Sequence, residues 1–156
     1  CLGSRSGELW IGTMGGVSIY KGKKDEKYLF TNFTTQNGLP NNVVLNLAVS
    51  PSIVYAGSPT GLMIFENEKW RAIGISEGLA SDWVSALALD GENLWIGTKK
   101  GLQFLSNGKI STSMNFKNGF PSSHIQALAV RNNSDGSASI FVGTDEGLIV
   151  LNRERK

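Results

Sequence analysis

The sequence predicts an all-β fold of the β-propeller class, with about four blades of four antiparallel strands each. An eight-residue pattern occurs four times, at intervals of 40 to 46 residues. A second pattern, centred on an Asn-Gly or Glu-Gly pair, occurs three times between copies of the first. Gly accounts for 19 of the 156 residues, which favours many tight turns. Short strands repeated at this interval are typical of propeller blades.

The eight-residue pattern predicts a hairpin of two middle strands. It consists of an aromatic residue, any residue, Gly, Ser or Thr, two variable residues, Gly and an aliphatic residue, at positions 10–17, 55–62, 95–102 and 141–148. In Ser58-Pro59-Thr60-Gly61, Pro and Gly occupy the second and fourth positions that a type I turn favours. The second Gly therefore supplies a positive φ after a tight turn, and the first Gly suits a close approach of strands.

Three apolar stretches predict an inner strand in each later unit. They cover residues 44–49, 84–89 and 125–130, and each follows a copy of the second pattern, at 37–44, 77–84 and 118–125. At six residues they are too short for typical helices, so we interpret them as strands buried on both faces. Outer strands are predicted at residues 28–34, 69–73 and 109–116. The chain then forms one domain with repeat units of approximately 1–36, 37–76, 77–117 and 118–156.

Both end units are predicted to lack one strand. No apolar inner strand precedes Leu9, and the last unit ends after 147–151 without an outer strand. An open arc would expose two blade faces, each larger than the apolar patches that soluble monomers tolerate. The sequence therefore predicts a missing remainder of a larger propeller, self-association into a larger ring, or a four-bladed ring closed edge to edge. A sandwich or a β-solenoid is the alternative fold.

The repeats resemble those of a known family. The segments Leu94-Trp95-Ile96-Gly97-Thr98 with Gly101-Leu102, and Asn37-Gly38-Leu39-Pro40 running into Val44, resemble the two-component regulator propeller repeat. The resemblance covers nearly the whole chain, although Tyr55 and Phe141 replace the Trp and Ala80 replaces the Pro. It implies a multi-bladed propeller of the kind found in the extracytoplasmic sensor region of bacterial hybrid histidine kinases. Many such sensors are linked to carbohydrate use, and a periplasmic or other extracytoplasmic location is implied.

Composition excludes several classes of partner. A formal net charge of +2, without a long run of Lys or Arg, gives no electrostatic footprint for nucleic acid or an anionic membrane. No apolar run approaches the ~18 residues that membrane insertion requires. One Cys and one His cannot form an internal disulfide or a structural zinc site. We therefore expect no metal and no cofactor.

Candidate ligand-binding residues lie where two kinds of loop meet. Because strand direction alternates, the loops that enter the inner strands and the Gly-rich turns share one face of the propeller. The loops offer Asn41, Asn42, Ser81, Asp82, Trp83, Ser122, Ser123 and His124, and the turns offer Lys99 and Asp145. Amides, hydroxyls and an aromatic ring suit a carbohydrate or another small polar ligand. Alternatively, these polar residues form local turn hydrogen bonds, and Trp83 and His124 pack against the blades.

The sequence predicts a non-catalytic ligand-sensing or protein-interaction module. His124 lies beside Ser122 and Ser123, but neighbours along an extended chain point to alternate sides, so no catalytic residue is predicted. One rival is a polysaccharide-active or lyase-type propeller enzyme, which would require clustered acids such as Asp82 and Asp145, or a His with metal partners. Another rival is a structural dimerisation scaffold that binds no ligand.

Overall fold

The computed structural model, which describes residues 1–154 apart from the side chain of Asn118, confirms the all-β propeller fold. Blade 1 contains β1 (Leu2–Arg5), β2 (Glu8–Thr13), β3 (Gly16–Lys24) and β4 (Lys27–Phe33). Blade 2 contains β5 (Asn46–Val49), β6 (Val54–Ser58), β7 (Gly61–Glu66) and β8 (Lys69–Ile73). Blade 3 contains β9 (Val84–Asp90), β10 (Asn93–Thr98), β11 (Gly101–Ser106) and β12 (Lys109–Ile110). Blade 4 contains β13 (Ile125–Asn132), β14 (Ala138–Thr144) and β15 (Gly147–Arg153).

The blades follow one another along an open arc. Within each sheet, every strand pairs antiparallel with the strand that follows it in the chain. The inner strands β1, β5, β9 and β13 contact one another in succession. Short 3-10 turns at Thr35–Asn37, Ile75–Glu77 and Phe116–Asn118 lead from one blade to the next. Among residues 1–154, no helix is long and apolar enough to cross a membrane.

The Gly-rich turns have the predicted hairpin geometry. The second Gly of each pattern has a positive φ, which is 134° at Gly61 and 129° at Gly147. The hydroxyl residue closes the turn, because Ser58 Oγ donates to the carbonyl of Gly61 over 2.9 Å and accepts from the amide of Thr60 over 3.1 Å. Thr98 makes the same two bonds in blade 3. The hydroxyl thus recurs in the pattern because it satisfies backbone groups in the turn.

In blades 1 to 3, the first Gly of the pattern lies where one blade meets the next, at Gly12, Gly57 and Gly97, which confirms the predicted close approach. A Cβ on Gly12 would lie 2.6 Å from a methyl of Val44 in blade 2. A Cβ on Gly97 would lie 2.6 Å from a methyl of Ile125 in blade 4. At Gly143, the nearest atom to such a Cβ is the Cβ of Ala127 in the same blade, at 3.3 Å. At Gly12 and Gly97, only a residue without a Cβ lets neighbouring blades pack so closely.

Three hydrophobic clusters between successive blades form the core. Rings fill the space between blades 1 and 2, where the ring centroids of Phe65 lie 5.3 Å from Trp10 and 5.1 Å from Trp70. Trp95 and Phe104 contribute the ring pair between blades 3 and 4. Aliphatic side chains dominate between blades 2 and 3. Successive blades therefore bury the faces that they turn toward each other, as a repeat architecture requires.

The ends of the chain differ from the prediction in one respect. Blade 1 has an inner strand, β1, so the predicted three-strand first unit is wrong, whereas the fourth unit has three strands as predicted. The sequence did not predict a strand at Leu2–Arg5 because this segment contains a single large apolar residue, Leu2. Leu2 is exposed, since no blade packs on the side that it faces. Exposed apolar side chains at both ends of the arc show that blades 1 and 4 do not close a four-bladed ring.

Candidate functional site

Six of the ten candidate residues make hydrogen bonds that shape the entering loops. One residue of each loop accepts from the backbone amide seven positions earlier and so fixes the 3-10 turn: Asn42 from Thr35 (2.8 Å), Asp82 from Ile75 (2.9 Å) and Ser123 from Phe116 (3.2 Å). The preceding residue accepts from the amide two positions later: Asn41 from Val43 (2.8 Å), Ser81 from Trp83 (3.2 Å) and Ser122 from His124 (3.0 Å). These bonds are the local turn contacts that polar residues favour in loops.

The structure brings the other four candidates together as two pairs on the face that carries the entering loops and the Gly-rich turns, which we call the loop face. In blade 3, Lys99 Nζ lies 3.5 Å from the ring centroid of Trp83. In blade 4, His124 Nδ1 lies 3.8 Å from Asp145 Oδ2. Trp83 and His124 occupy the same repeat position, as do Lys99 and Asp145. A partly exposed aromatic and an imidazole, each beside a charged group, are therefore available to a polar ligand.

Ser122, Asp145 and His124 form a connected group without the order that a nucleophile needs. Ser122 Oγ donates its hydrogen to Asp145 Oδ1, while His124 faces the other oxygen of the same carboxylate. In a Ser-His-Asp triad, the imidazole lies between the hydroxyl and the carboxylate and takes the hydroxyl proton. Here the carboxylate lies between the other two groups, so the arrangement positions the loop and does not activate Ser122.

A cleft that the sequence did not predict lies between blades 2 and 3 and opens on the face opposite the loop face. Its volume is about 810 Å³. Aromatic rings fill the junction between blades 1 and 2, whereas the hydrophobic cluster between blades 2 and 3 consists of aliphatic side chains and Tyr55 and leaves a space open beside it. The polar residues that line it are Ser50, Ser52, Tyr55, Glu66, Arg71, Glu77, Glu92, Asn93 and Asn107. The sequence signal was the departure from the repeat at Tyr55, which replaces the Trp found at positions 10 and 95.

Tyr55 and Glu77 have shifted pKa values, for different reasons. Burial raises the pKa of Tyr55 above its usual 10.0, the negative charge of Glu66 raises it further, and Arg71 opposes the shift. The pKa of Glu77 is lowered because its carboxylate accepts hydrogen bonds from the Gly74 amide and the Ser76 hydroxyl. At neutral pH the cleft therefore contains the neutral phenol of Tyr55 and the ionised carboxylate of Glu77.

Stability is expected to fall as the pH rises above about 10, in part because of Tyr55. The pKa of Tyr55 is higher in the folded state than in the unfolded chain. The protonated side chain therefore contributes fully to stability below the unfolded pKa, and this contribution is lost as the pH rises through the folded pKa. Urea unfolding of the wild type and of Tyr55→Phe between pH 8 and 11 measures this loss. We expect Tyr55→Phe to lose less stability over that interval, and parallel curves would contradict the assignment.

Comparisons with solved structures find a similar all-β fold in several other proteins. The extracellular domain of a protein from B. thetaiotaomicron, described as a hybrid two-component system, matches 96% of this chain with 26% identity and a TM-score of 0.71. The computationally designed protein Ika4 matches 99% of the chain with 16% identity and a TM-score of 0.68, over 89% of its own length. PorZ, a surface component of the type-IX secretion system of Porphyromonas gingivalis, matches 92% with 18% identity and a TM-score of 0.62, over 24% of its length.

The first of these comparisons covers only part of the larger protein. The chain spans about a fifth (19%) of the B. thetaiotaomicron domain. No protein-family model and no curated protein sequence matches the chain. The comparisons therefore show a propeller-like all-β fold, and the similar structures include the extracellular domain described as a hybrid two-component system.

Proposed function

We propose that this chain is a non-catalytic propeller segment that recognises a ligand on its loop face, as part of an extracytoplasmic sensor. The observation that carries the proposal is the likeness to the extracellular two-component domain, which extends over 96% of the chain at 26% identity. The repeat motifs at 95–102 and 37–44 support the same assignment because they resemble the two-component regulator propeller repeat. A periplasmic location follows from this proposal.

The loop face supports binding better than catalysis. Asp82 and Asp145, the acids that a glycosidase would need, are both engaged in the loops, by the Ile75 amide and by Ser122 with His124 respectively. Trp83 is partly exposed, and its ring can stack on the apolar face of a sugar when the Lys99 side chain, whose Nζ lies 3.5 Å from the ring centroid, moves aside. Lys99 beside that ring, and the His124–Asp145 pair at the equivalent position of blade 4, supply hydrogen-bonding groups on the same face. We therefore propose a carbohydrate or a similar polyhydroxylated molecule as the ligand class.

Binding of defined oligosaccharides tests the proposal. Maltotriose, xylotriose, cellotriose and their longer homologues are titrated into the protein, and the melting temperature and tryptophan fluorescence are recorded. A bound sugar is expected to raise the melting temperature with concentration, because it binds only the folded state. Trp83→Ala is expected to weaken the affinity at least tenfold, which corresponds to a loss of about 1.4 kcal/mol.

Two matched variants locate the binding site. Met14 lies in the Gly-rich turn of blade 1, at the repeat position of Lys99, and Met14→Ala is expected to leave affinity unchanged. Arg71→Ala alters the cleft on the opposite face. If Arg71→Ala abolishes binding and Trp83→Ala does not, the ligand occupies the cleft and the assignment to the loop face is wrong. If none of these sugars changes the melting temperature, the carbohydrate assignment is wrong.

A further inference from the structure

We propose that the cleft between blades 2 and 3 is a second binding site, for a small organic cation that joins an apolar ring to an amine. The proposal is independent of the loop-face ligand, because the cleft opens on the opposite face. Its volume of about 810 Å³ lies within the range of about 300 to 1,000 Å³ that is typical of small-molecule pockets. The proposal rests on how the repeat opens the cleft, on a buried hydroxyl without a partner, and on an excess of acidic side chains.

The cleft is open because three positions that hold large rings in the first junction hold smaller side chains in the second. Between blades 1 and 2, three rings contact one another with centroids 5.1 to 6.5 Å apart: Trp10, Phe65 and Trp70. Between blades 2 and 3, the equivalent repeat positions hold Tyr55, Leu105 and Ile110. Protein interiors are normally close-packed, so three smaller residues that meet at one place leave a space of ligand size.

Tyr55 places a hydroxyl in the wall of the cleft. The residue lines the cleft and is only 6% exposed. Among residues 1–154, apart from the Asn118 side chain, its hydroxyl has no hydrogen-bond partner, and it is not sealed inside the core. Tyr55, Ile64 and Arg71 lie directly opposite one another on β6, β7 and β8, so the three side chains share one face of the sheet. A ligand in the cleft therefore supplies the partner that the protein does not.

Acidic side chains outnumber basic ones among the residues that line the cleft. They are Glu66, Glu77 and Glu92, against Arg71 alone. Glu66 lies two positions after Ile64 on β7, so its side chain is on the same face of the sheet as Tyr55. The negative charge of Glu66 also acts on Tyr55 more strongly than the positive charge of Arg71 does. The charge that this cleft favours in a ligand is therefore positive.

The aliphatic side chains of the two blades favour an apolar body for the ligand. Ile64 and Ile73 of blade 2 belong to the same cluster as Leu105 and Ile110 of blade 3, and all four line the cleft. A ring between them would occupy the space that aromatic side chains fill in the first junction. The amine is then expected to donate hydrogen bonds to the hydroxyl of Tyr55 and to a carboxylate oxygen of the cleft.

Two probes with the same ring and opposite charge test the preference of the cleft. Tryptamine and indole-3-propionate are titrated separately into the protein at neutral pH and low salt, and the heat of binding is measured by calorimetry. Tryptamine is expected to bind about tenfold more tightly, because only its charge is opposite to that of the acidic side chains. Equal or tighter binding of indole-3-propionate would overturn the proposal. So would the absence of any tryptamine binding at millimolar concentration.

Three variants locate tryptamine in the cleft. Ile110→Trp introduces the side chain that blade 2 has at the equivalent position, Trp70, and is expected to weaken tryptamine binding about tenfold or more by filling the space. Tyr55→Phe removes only the hydroxyl, and Glu66→Gln removes one acidic group. Each is expected to weaken binding about fivefold to tenfold. If Ile110→Trp binds tryptamine as the wild type does, or if neither of the other two variants weakens binding, tryptamine lies elsewhere and the proposal is wrong.

A matched control separates a local effect from the overall charge of the protein. Glu146→Gln makes the same chemical change as Glu66→Gln, but at an exposed position in the Gly-rich turn of blade 4, on the loop face. We expect it to leave tryptamine affinity unchanged. All four variants are expected to retain the circular dichroism of the wild type, and Glu66→Gln, at a partly exposed position, tests the site without any change in core packing. If Glu146→Gln weakens binding as much as Glu66→Gln does, the attraction is not local to the cleft and the proposal fails.

Discussion

Gly61→Ala is expected to lower the free energy of unfolding by about 3 kcal/mol, since it combines backbone strain with overpacking. The φ of Gly61 is 134°, a conformation that residues with a Cβ rarely adopt. A Cβ at this position would also lie 2.5 Å from the carbonyl oxygen of Ile73, on the outer strand β8. Because that oxygen belongs to a strand paired along its length with β7, it cannot move away cheaply.

Gly147→Ala is the control that separates the two causes. Gly147 has nearly the same φ, 129°, but no atom lies within 4 Å of its added Cβ because β15 has no outer neighbour among the described residues. Gly147→Ala is expected to lower the free energy of unfolding by about 1 to 2 kcal/mol, from backbone strain alone. Urea unfolding at one protein concentration measures both values. Equal losses would show that β8 does not constrain the turn.

Arg153→Met is expected to cost about 3 kcal/mol of stability, because it deprives a buried carboxylate of its guanidinium. Asp90 is 1% exposed, and Arg153 Nη1 lies 2.7 Å from its Oδ2 atom. Trp95 Nε1 donates to the same oxygen over a longer distance of 3.4 Å. The guanidinium also lies 4.3 Å from the ring centroid of Phe104, so one side chain of blade 4 bridges two groups of blade 3.

An exposed ion pair provides the control for Arg153→Met. Lys23 and Glu26 approach within 2.6 Å, but both side chains are largely exposed, and Lys23→Met is expected to cost less than about 0.5 kcal/mol. The double variant Asp90→Asn with Arg153→Met is expected to recover much of the loss, since no buried charge then remains at the site. If Arg153→Met and Lys23→Met cost the same, the buried pair does not hold blade 4 to blade 3.

The sequence was informative about the fold because its repeat encodes the contacts between blades. The second Gly of each pattern reports a positive φ, and the first reports close packing, so both could be read without coordinates. The strand β1 could not, because Leu2–Arg5 lies on an end face and needs no apolar alternation. Likewise the outer strand predicted at 109–116 is interrupted. The strand β12 is only Lys109–Ile110, Ser111 still bonds to Phe104, and pairing resumes as a single bridge between Met114 and Leu102.

The candidate site was less predictable, since a polar residue type does not distinguish a ligand contact from a turn contact. Asn42, Asp82 and Ser123 differ in chemistry yet make the same hydrogen bond in three loops, which only the coordinates reveal. The cleft between blades 2 and 3 depends on which side chains fail to fill a junction. Tyr55 signalled a departure from the repeat, but the space beside it comes from the aliphatic partners opposite.

The recurrent contact between a glycine of one blade and an aliphatic side chain of the next has a consequence for how such chains change over generations. Val44 and Ile125 meet equivalent glycines of the preceding sheet. Unequal recombination between two copies of the coding repeat would delete or duplicate a whole blade. The new junction between blades could then keep the same glycine contact. The number of blades can therefore change without a redesign of the core. Selection can then change single positions, such as Tyr55, within one blade.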